Sequence, residues 1–464
     1  MLAEETSLSH FKTSLRGRLI APADPDYEMS RKVYNGMIDK RPALIARCLD
    51  EADVIAAVNF ARVKNLLVAV RGGGHSGAGM GMCDGGLVID LSYMKATHVD
   101  PAARTVQVQG GCTLGDVDHA THAFGMAVPT GIQSTTGIAG LTLGGGIGHL
   151  TRQCGLTIDN LLEADVVLAS GEYVKASARE HSDLFWALRG GGGNFGVVTS
   201  FLFQTHPIST VYAGPMLWDL EDAKEMMRWY HEFISNAPDD INGFFAFLIV
   251  PPDPSFPVDL HLKSMCGVVW CYTGPMEEAE KAFEPIRGFK KPALDFVGPM
   301  PVPVLQSMFD PLVPSGYQWY WKGDYVKDLP DEAIDICIHH GSKVPNMYSG
   351  VHLYPINGAA ARVDNNATAW SYRDATYAMV IVGVDPEPTN KHIITNWSRD
   401  FWKAIHPYSA GGSYINFMME EGQDRVKATY GDNYQRLVEV KTKYDPHNLF
   451  RVNQNILPAV TDQA

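Results

Sequence analysis

Four glycine-rich stretches lie close together in the first half of the chain: 71–79, 137–148, 190–196 and, more loosely, 81–86. Glycine lets the main chain approach a ligand closely and adopt positive φ. Successive N–H groups in such turns form concavities that bind anions. One such stretch would read as a tight turn, but three long ones in one region point to a phosphate-bearing ligand. That ligand is not an ordinary nucleoside triphosphate, because GxxxxGK[ST] is absent. Gly144-Gly145-Gly146-Ile147-Gly148 also lacks the GxGxxG spacing, following helix and acidic residue of a simple nicotinamide site. His75 sits inside the first stretch. A neutral imidazole nitrogen is a competent nucleophile near neutral pH, and flanking glycines let it approach a bound ligand.

The elements that must position these turns are legible around them. Ala43 to Cys48 reads as a short strand. Asp50 to Lys64 has helical spacing at Val54, Ala57, Val58 and Ala61, with Asp50 placed to cap it. Leu66 to Val70 is a second apolar strand that runs straight into Arg71-Gly72-Gly73-Gly74-His75-Ser76. Further strands are predicted at Gly86 to Leu91, Thr105 to Gln109 and Ala164 to Ala169, and helices at Cys112 to Phe124 and Leu184 to Leu188. Residues 1–40 read as a helical lead-in interrupted by Pro22 and Pro25. The mixture predicts an α+β fold with strands of mixed direction. Beyond residue 207 glycine thins and aromatics increase. Helical spacing at Leu220 to Ser235 and Met276 to Phe283, with strands at Phe244 to Val250 and Gly267 to Tyr272, predicts an antiparallel sheet backed by helices. The expected domains are 1–206, with its core from about 40, then 207–410, and a C-terminal segment 411–464 with a helix at Asn433 to Lys443.

Val70-Arg71-Gly72-Gly73-Gly74-His75-Ser76 resembles the pyrophosphate loop of the vanillyl-alcohol-oxidase superfamily, whose FAD-binding domain is called PCMH-type. Asp84-Gly85-Gly86 through Ser92, Thr130-Gly131, Gly137 through Gly148, Gly155 through Asn160 and Asp183 through Thr199 follow in the family's order. Tyr444-Asp445-Pro446-His447-Asn448-Leu449-Phe450-Arg451 resembles the tail of its berberine-bridge-enzyme-like branch. The likeness covers roughly residues 40–205 strongly and 410–457 well. It implies a PCMH-type FAD-binding domain, a substrate domain, and a C-terminal segment that returns to the first. It implies FAD contacts at Arg71, Gly72, Gly73, Gly74, His75, Ser76, Thr130, Gly131, Gly137, Gly140, Gly144, Gly145, Gly148, Asn160, Gly196, Val198 and Asn453.

In this family a histidine at the place of His75 bonds to the 8α carbon of the flavin. The other reading is a histidine that only hydrogen-bonds in the loop. Some members add a cysteine link; Gln133 stands there in this chain, and an amide does not attack a flavin, so a single covalent bond is expected. Thr136 falls where the branch has a residue that gates oxygen, and Leu141 where many members have histidine. The departure at Leu141 leaves charge stabilisation of the reduced flavin to another source, such as main-chain amides. Ser413-Tyr414-Ile415-Asn416 resembles the branch's Tyr-x-Asn motif. Tyr414 is the first candidate for the base, but a tyrosine with a pKa of ~10 needs a nearby cation or partner to act as one. A buried structural tyrosine is the competing reading. In a strand, His352 and Tyr354 would share a face, as would Tyr320 and Lys322, and such a face is expected to cover the substrate side of the flavin. Trp370-Ser371-Tyr372-Arg373 is a further candidate for that cover, against ordinary half-buried sheet.

Acidic residues outnumber basic ones, 52 to 38, for a formal net charge of −14, which disfavours nucleic acid as a partner. Seven cysteines without CxxC spacing form neither a disulfide framework nor a zinc site, so no metal is expected. Residues 1–10 lack a secretory signal's basic start and apolar run, and no stretch approaches the ~20 apolar residues of a membrane span. A cytoplasmic protein, monomeric or homodimeric and off the membrane, is expected. The functional expectation is an FAD-linked oxidase that removes a hydride from a C–H beside an alcohol or amine of a small substrate, an aromatic one by the expected lining, with O₂ as acceptor. The alternatives are a flavin-dependent oxygenase or oxidative cyclase, and a non-enzymatic flavin-binding protein.

Overall fold

The computed structural model describes residues 8–459. Three sheets carry the fold. The first has strands β1 (Arg18–Ile20), β2 (Leu44–Arg47), β3 (Val68–Arg71) and β4 (Leu87–Asp90) in the order β1-β2-β4-β3. β2, β4 and β3 are parallel, and β1 is antiparallel to β2. The helix Glu51–Val63 makes the crossover between β2 and β3, and Asp50 caps it by accepting the N–H of Asp53 at 3.1 Å. β1 is a departure from the sequence reading, which has only helix in the lead-in. Three residues are too few to show a period of two.

The second sheet is antiparallel, with β5 (Thr97–Asp100), β6 (Thr105–Gln109), β7 (Leu161–Val167), β8 (Tyr173–Ser177) and β9 (Val197–Gln204) in the order β5-β6-β9-β7-β8. The stretch 137–148, read from sequence as glycine turns, opens with a helix at Ile138–Gly144. Buried Ile138, Ala139, Thr142 and Leu143 hold one side of it, and this packing overrides the poor helix propensity of glycine.

The third sheet is antiparallel and eight-stranded: β10 (Thr210–Asp219), β11 (Ile241–Ile249), β12 (Ser264–Tyr272), β13 (Leu294–Asp295), β14 (Gly298–Pro301), β15 (Gln318–Val326), β16 (Gly350–Pro355) and β17 (Tyr377–Asp385). Successive side chains take opposite faces. Phe245, Phe247, Val351, Leu353, Met379 and Ile381 meet the helices Ala223–Asn236, Ala279–Phe289, Asp331–Gly341 and Lys391–Ile405. Their neighbours Phe244, Ala246, Tyr354, Ala378 and Val380 face the other way, toward Ile147, Leu150 and Tyr414. An α+β protein with one helix-backed antiparallel sheet is the result.

The helix Tyr434–Tyr444 packs through Leu437, Val440 and Tyr444 into the core that contains β7, β9 and the helix Ser182–Leu188. Lys441 and Asp445, both fully buried, lock it there. Lys441 Nζ donates to Asp445 Oδ2 at 2.7 Å, to the Asn194 carbonyl at 2.7 Å and to the Phe450 carbonyl at 2.9 Å.

Candidate active site

Between the glycine turns and the face of the eight-stranded sheet turned away from its helices lies a cavity of about 480 Å³, within the range of ligand sites. One end is main chain. Gly72, Gly73, Gly74, Gly140, Gly144, Gly192, Gly193 and Gly196 line it. A Cβ on Gly73 would stand 2.5 Å from Cα and N of Gly137, so the two turns meet backbone to backbone. The N–H groups from Gly72 to Ser76 have no acceptor among the described residues. Asn453 donates to the Gly193 carbonyl at 3.1 Å and the Phe450 carbonyl at 3.0 Å, while its buried Oδ1 has no partner. Free amides and an orphaned acceptor at one end suit a diphosphate and a polyol.

His75 stands in the wall of this cavity. Its Nε2 lies 2.9 Å from Thr135 Oγ1 and its Nδ1 3.5 Å from Thr136 Oγ1. The ring stacks on Tyr34 with centroids 3.8 Å apart. The surrounding protein pushes the His75 pKa down to about 3, although the ring edge is open to the cavity, so the imidazole is neutral. Tyr34 is itself fixed. Its hydroxyl donates to the Val313 carbonyl at 2.5 Å and accepts from Gln133 Nε2 at 3.0 Å. Gln133, at the position a second link would need, is thus bound to this support. Neither Tyr34 nor Thr135 was legible in the sequence. Tyr34 lies in the unpatterned lead-in, and its partner Val313 is far along the chain.

Of the residues singled out in the sequence, Gly72–Ser76, Gly131, Thr136, Gly137, Gly140, Leu141, Gly144, Gly196, Val198, Tyr414, Asn416 and Asn453 line the cavity. Arg71 does so beside Gly72, but its guanidinium is turned away and bound to Asp90 and the Ser30 carbonyl. That pairing crosses the β3–β4 register, where Arg71 faces Asp90. Four of the expected positions lie outside this lining. Asn160 does not line the cavity; it donates to the Cys154 and Leu156 carbonyls and meets His206 Nε2 at 2.7 Å, closing its own turn. Thr130 lines a separate small void with Asp118 and His149. Gly148 packs under the carbonyls of Thr130 and Gly131. Gly145, at φ +133°, makes room for the Trp370 ring.

The opposite wall is the sheet. His352 and Tyr354 line it together, as alternation requires, with His352 Nδ1 2.7 Å from Tyr354 Oη. Alternation overturns the expectation for Tyr320 and Lys322. Trp319 and Trp321 face the cavity, and Tyr320 and Lys322 face the helix Lys391–Ile405. Lys322 pairs with Glu421 at 2.7 Å and lies 4.6 Å above the Trp402 ring. Tyr320 Oη accepts from Arg399 at 2.8 Å. Arg373 forms a two-pronged pair with Asp159, each contact 2.7 Å, outside the cavity.

Tyr414 Oη accepts from the Gly146 N–H at 2.8 Å and from Asn416 Nδ2 at 2.7 Å, and Asn416 also donates to the Leu141 carbonyl at 3.1 Å. Burial pushes the phenol up to about 12 despite these two donors. All seven cysteines are free, six of them buried. Among the described residues no group of His, Cys, Asp and Glu is arranged to hold a metal ion, and no helix is long and apolar enough to cross a membrane.

A cradle of free main-chain amides beside a helix-backed antiparallel sheet fits the class of flavin-dependent oxidoreductases. Comparison with known proteins places the chain within that class. The family described as "FAD binding domain" matches residues 42–177, and that described as "Berberine and berberine like" matches residues 413–457. An FAD-linked oxidoreductase of Dictyostelium discoideum is 33% identical over 97% of both chains. A carbohydrate oxidase of Microdochium nivale is 28% identical over 94% of this chain and 92% of its own. The crystal structure of 6-hydroxy-D-nicotine oxidase from Arthrobacter nicotinovorans superposes with a TM-score of 0.85 at 27% identity, covering 96% of this chain and 99% of that one. The chain belongs to the berberine-like FAD-linked oxidoreductases; it is an enzyme and binds FAD.

Proposed function

We propose that this enzyme is an oxidase carrying FAD bonded to His75, which removes a hydride from a C–H beside an alcohol or amine of a small aromatic substrate and passes the electrons to O₂. The observation that carries this reading is the state of His75. It is a neutral imidazole in the cavity wall, clamped by the Tyr34 ring and the Thr135 hydroxyl, at the turn with free amides. Bound FAD supplies the hydride acceptor. The N–H groups of 72–76 and Asn453 would hold it, and Thr136 and Leu141 line the wall near His75 and Asn416. Tyr414 and Asn416 form one polar edge, and Trp319, Trp321 and Phe244 give the remainder an aromatic lining suited to a ring-bearing substrate. Related proteins described as oxidases of a nicotine derivative and of carbohydrate bracket the amine and alcohol chemistry. Seven free thiols, six of them buried, favour a reducing, cytoplasmic setting.

Acid precipitation tests the linkage. Flavin is expected to stay with the wild-type polypeptide and to be released from His75→Ala; flavin retained by the variant moves the bond elsewhere. Stopped-flow mixing of reduced enzyme with O₂ tests the acceptor, and slow reoxidation removes the oxidase reading.

A further inference from the structure

The substrate's acidic hydrogen needs an acceptor in this cavity, and the lining offers few. His75, Tyr348, His352, Tyr354 and Tyr414 are its uncharged titratable side chains; Arg71 is the charged one, and it is tied to Asp90. A phenolic oxygen has two lone pairs. Burial keeps Tyr414 a neutral phenol, and in that form both lone pairs already accept from Gly146 and Asn416, so none is free for a substrate proton. No Lys or Arg other than Arg71 lines the cavity to favour a phenolate. His75 is engaged by Thr135 and Thr136. His352 differs. Nδ1 is held by Tyr354, while Nε2 has no hydrogen-bond partner among the described residues and the residue lines the cavity. Phe244 brackets the pair, with ring centroids 5.1 Å from His352 and 4.9 Å from Tyr354. Phe417, which follows Asn416, packs on Tyr354 at 5.7 Å. The pair therefore sits beside the Tyr414–Asn416 edge.

Resting on the oxidase reading, we infer that His352 Nε2 receives the proton from the substrate's O–H or N–H, with Tyr354 holding Nδ1, and that the site takes uncharged aromatic alcohols or amines. The O–H or N–H bond breaks and its proton passes to Nε2. The neighbouring C–H leaves as hydride to the flavin, the oxidant, and a C=O or C=N bond forms. Nδ1–H donating to Tyr354 Oη is the tautomer that turns the Nε2 lone pair to the cavity. Burial pushes His352 down to about 4 and Tyr354 up, so both are neutral at physiological pH. The strands beside His352 present Ala246 on β11 and Val380 on β17, neither of them titratable. A charged substrate would enter without a counter-ion, which is costly.

Phenol and toluene, which differ in one hydroxyl, serve as probes of the holoenzyme, with binding read from the flavin absorbance. Wild type is expected to prefer phenol about tenfold, as one hydrogen bond to a desolvated acceptor gives. In His352→Phe the preference should vanish while flavin content and toluene affinity stay within about twofold. In Tyr354→Phe it should fall severalfold as the ring loses its fixed tautomer. A preference that survives in His352→Phe or is absent from wild type overturns the assignment. Wild-type protein isolated without flavin would instead overturn the oxidase reading beneath it.

Discussion

Replacing Lys441 by methionine should cost this protein more than almost any other single change, and the loss should fall on the cofactor. Lys441 and Asp445 are both fully buried, and the ammonium serves three acceptors: Asp445 Oδ2 and the carbonyls of Asn194 and Phe450. Lys441→Met keeps the apolar stem but leaves the carboxylate with only the N–H groups of Leu449 and Phe450, at 2.8 and 2.9 Å. It also strips two carbonyls of a donor. Removing one partner of a buried pair costs about 3–5 kcal/mol. Asn194 and Phe450 adjoin Gly193 and Asn453, so the loosened wall belongs to the cavity. Thermal unfolding followed by circular dichroism and by flavin fluorescence should show flavin exposure moving to lower temperature with, or ahead of, loss of helix. Adding Asp445→Asn removes the uncompensated charge while leaving an acceptor for one N–H, so the double variant should recover part of the loss. A single variant within about 1 kcal/mol of wild type, or a double variant less stable than the single, would refute the reasoning.

Three further variants test burial and backbone geometry. Burial raises the Asp118 pKa from 3.8 to about 7. The folded state therefore holds more protons than the unfolded chain between those values. Stability is lost as pH rises through that window and stays low above it, by about 4 kcal/mol for a shift of this size. Denaturant titrations of Asp118→Asn should show it gaining on wild type between pH 4 and pH 8, and a difference independent of pH would contradict this. Gly73→Ala should yield protein that is insoluble or without flavin, because its Cβ would meet Gly137 backbone at 2.5 Å. Gly288→Ala, in a helix with nothing within 4 Å, should instead keep its flavin and gain up to ~1 kcal/mol in stability.

The legible parts of this protein are those where local chemistry and tertiary structure agree. The Asp50 cap, the strand leading into Gly72 and the shared face of His352 and Tyr354 each follow from spacing of a few residues, and each is present. The helix at Ile138–Gly144 was hidden because its glycines signal a turn, while burial of its other face decides the matter. Lys322 was misplaced because a period of two gives partners on a face and leaves open which face it is. The choice was set by Trp319 and Trp321, whose rings fill the cavity side. Asn160 drew attention through its position in a recognised block, yet its amide is consumed in its own turn. Tyr34 could not be found at all, because its role rests on contacts with Gln133 and Val313 that no local pattern announces.

The cavity draws its walls from residues as far apart in sequence as Val68 and Gln454. During synthesis the early strands and glycine turns emerge long before the segment that seals them. The pocket cannot be complete until residue 454 has cleared the ribosome, so the whole of its lining assembles only after that segment is made. Before that moment the nascent chain carries an open, largely apolar trough, which is the interval in which it most needs shielding from its neighbours.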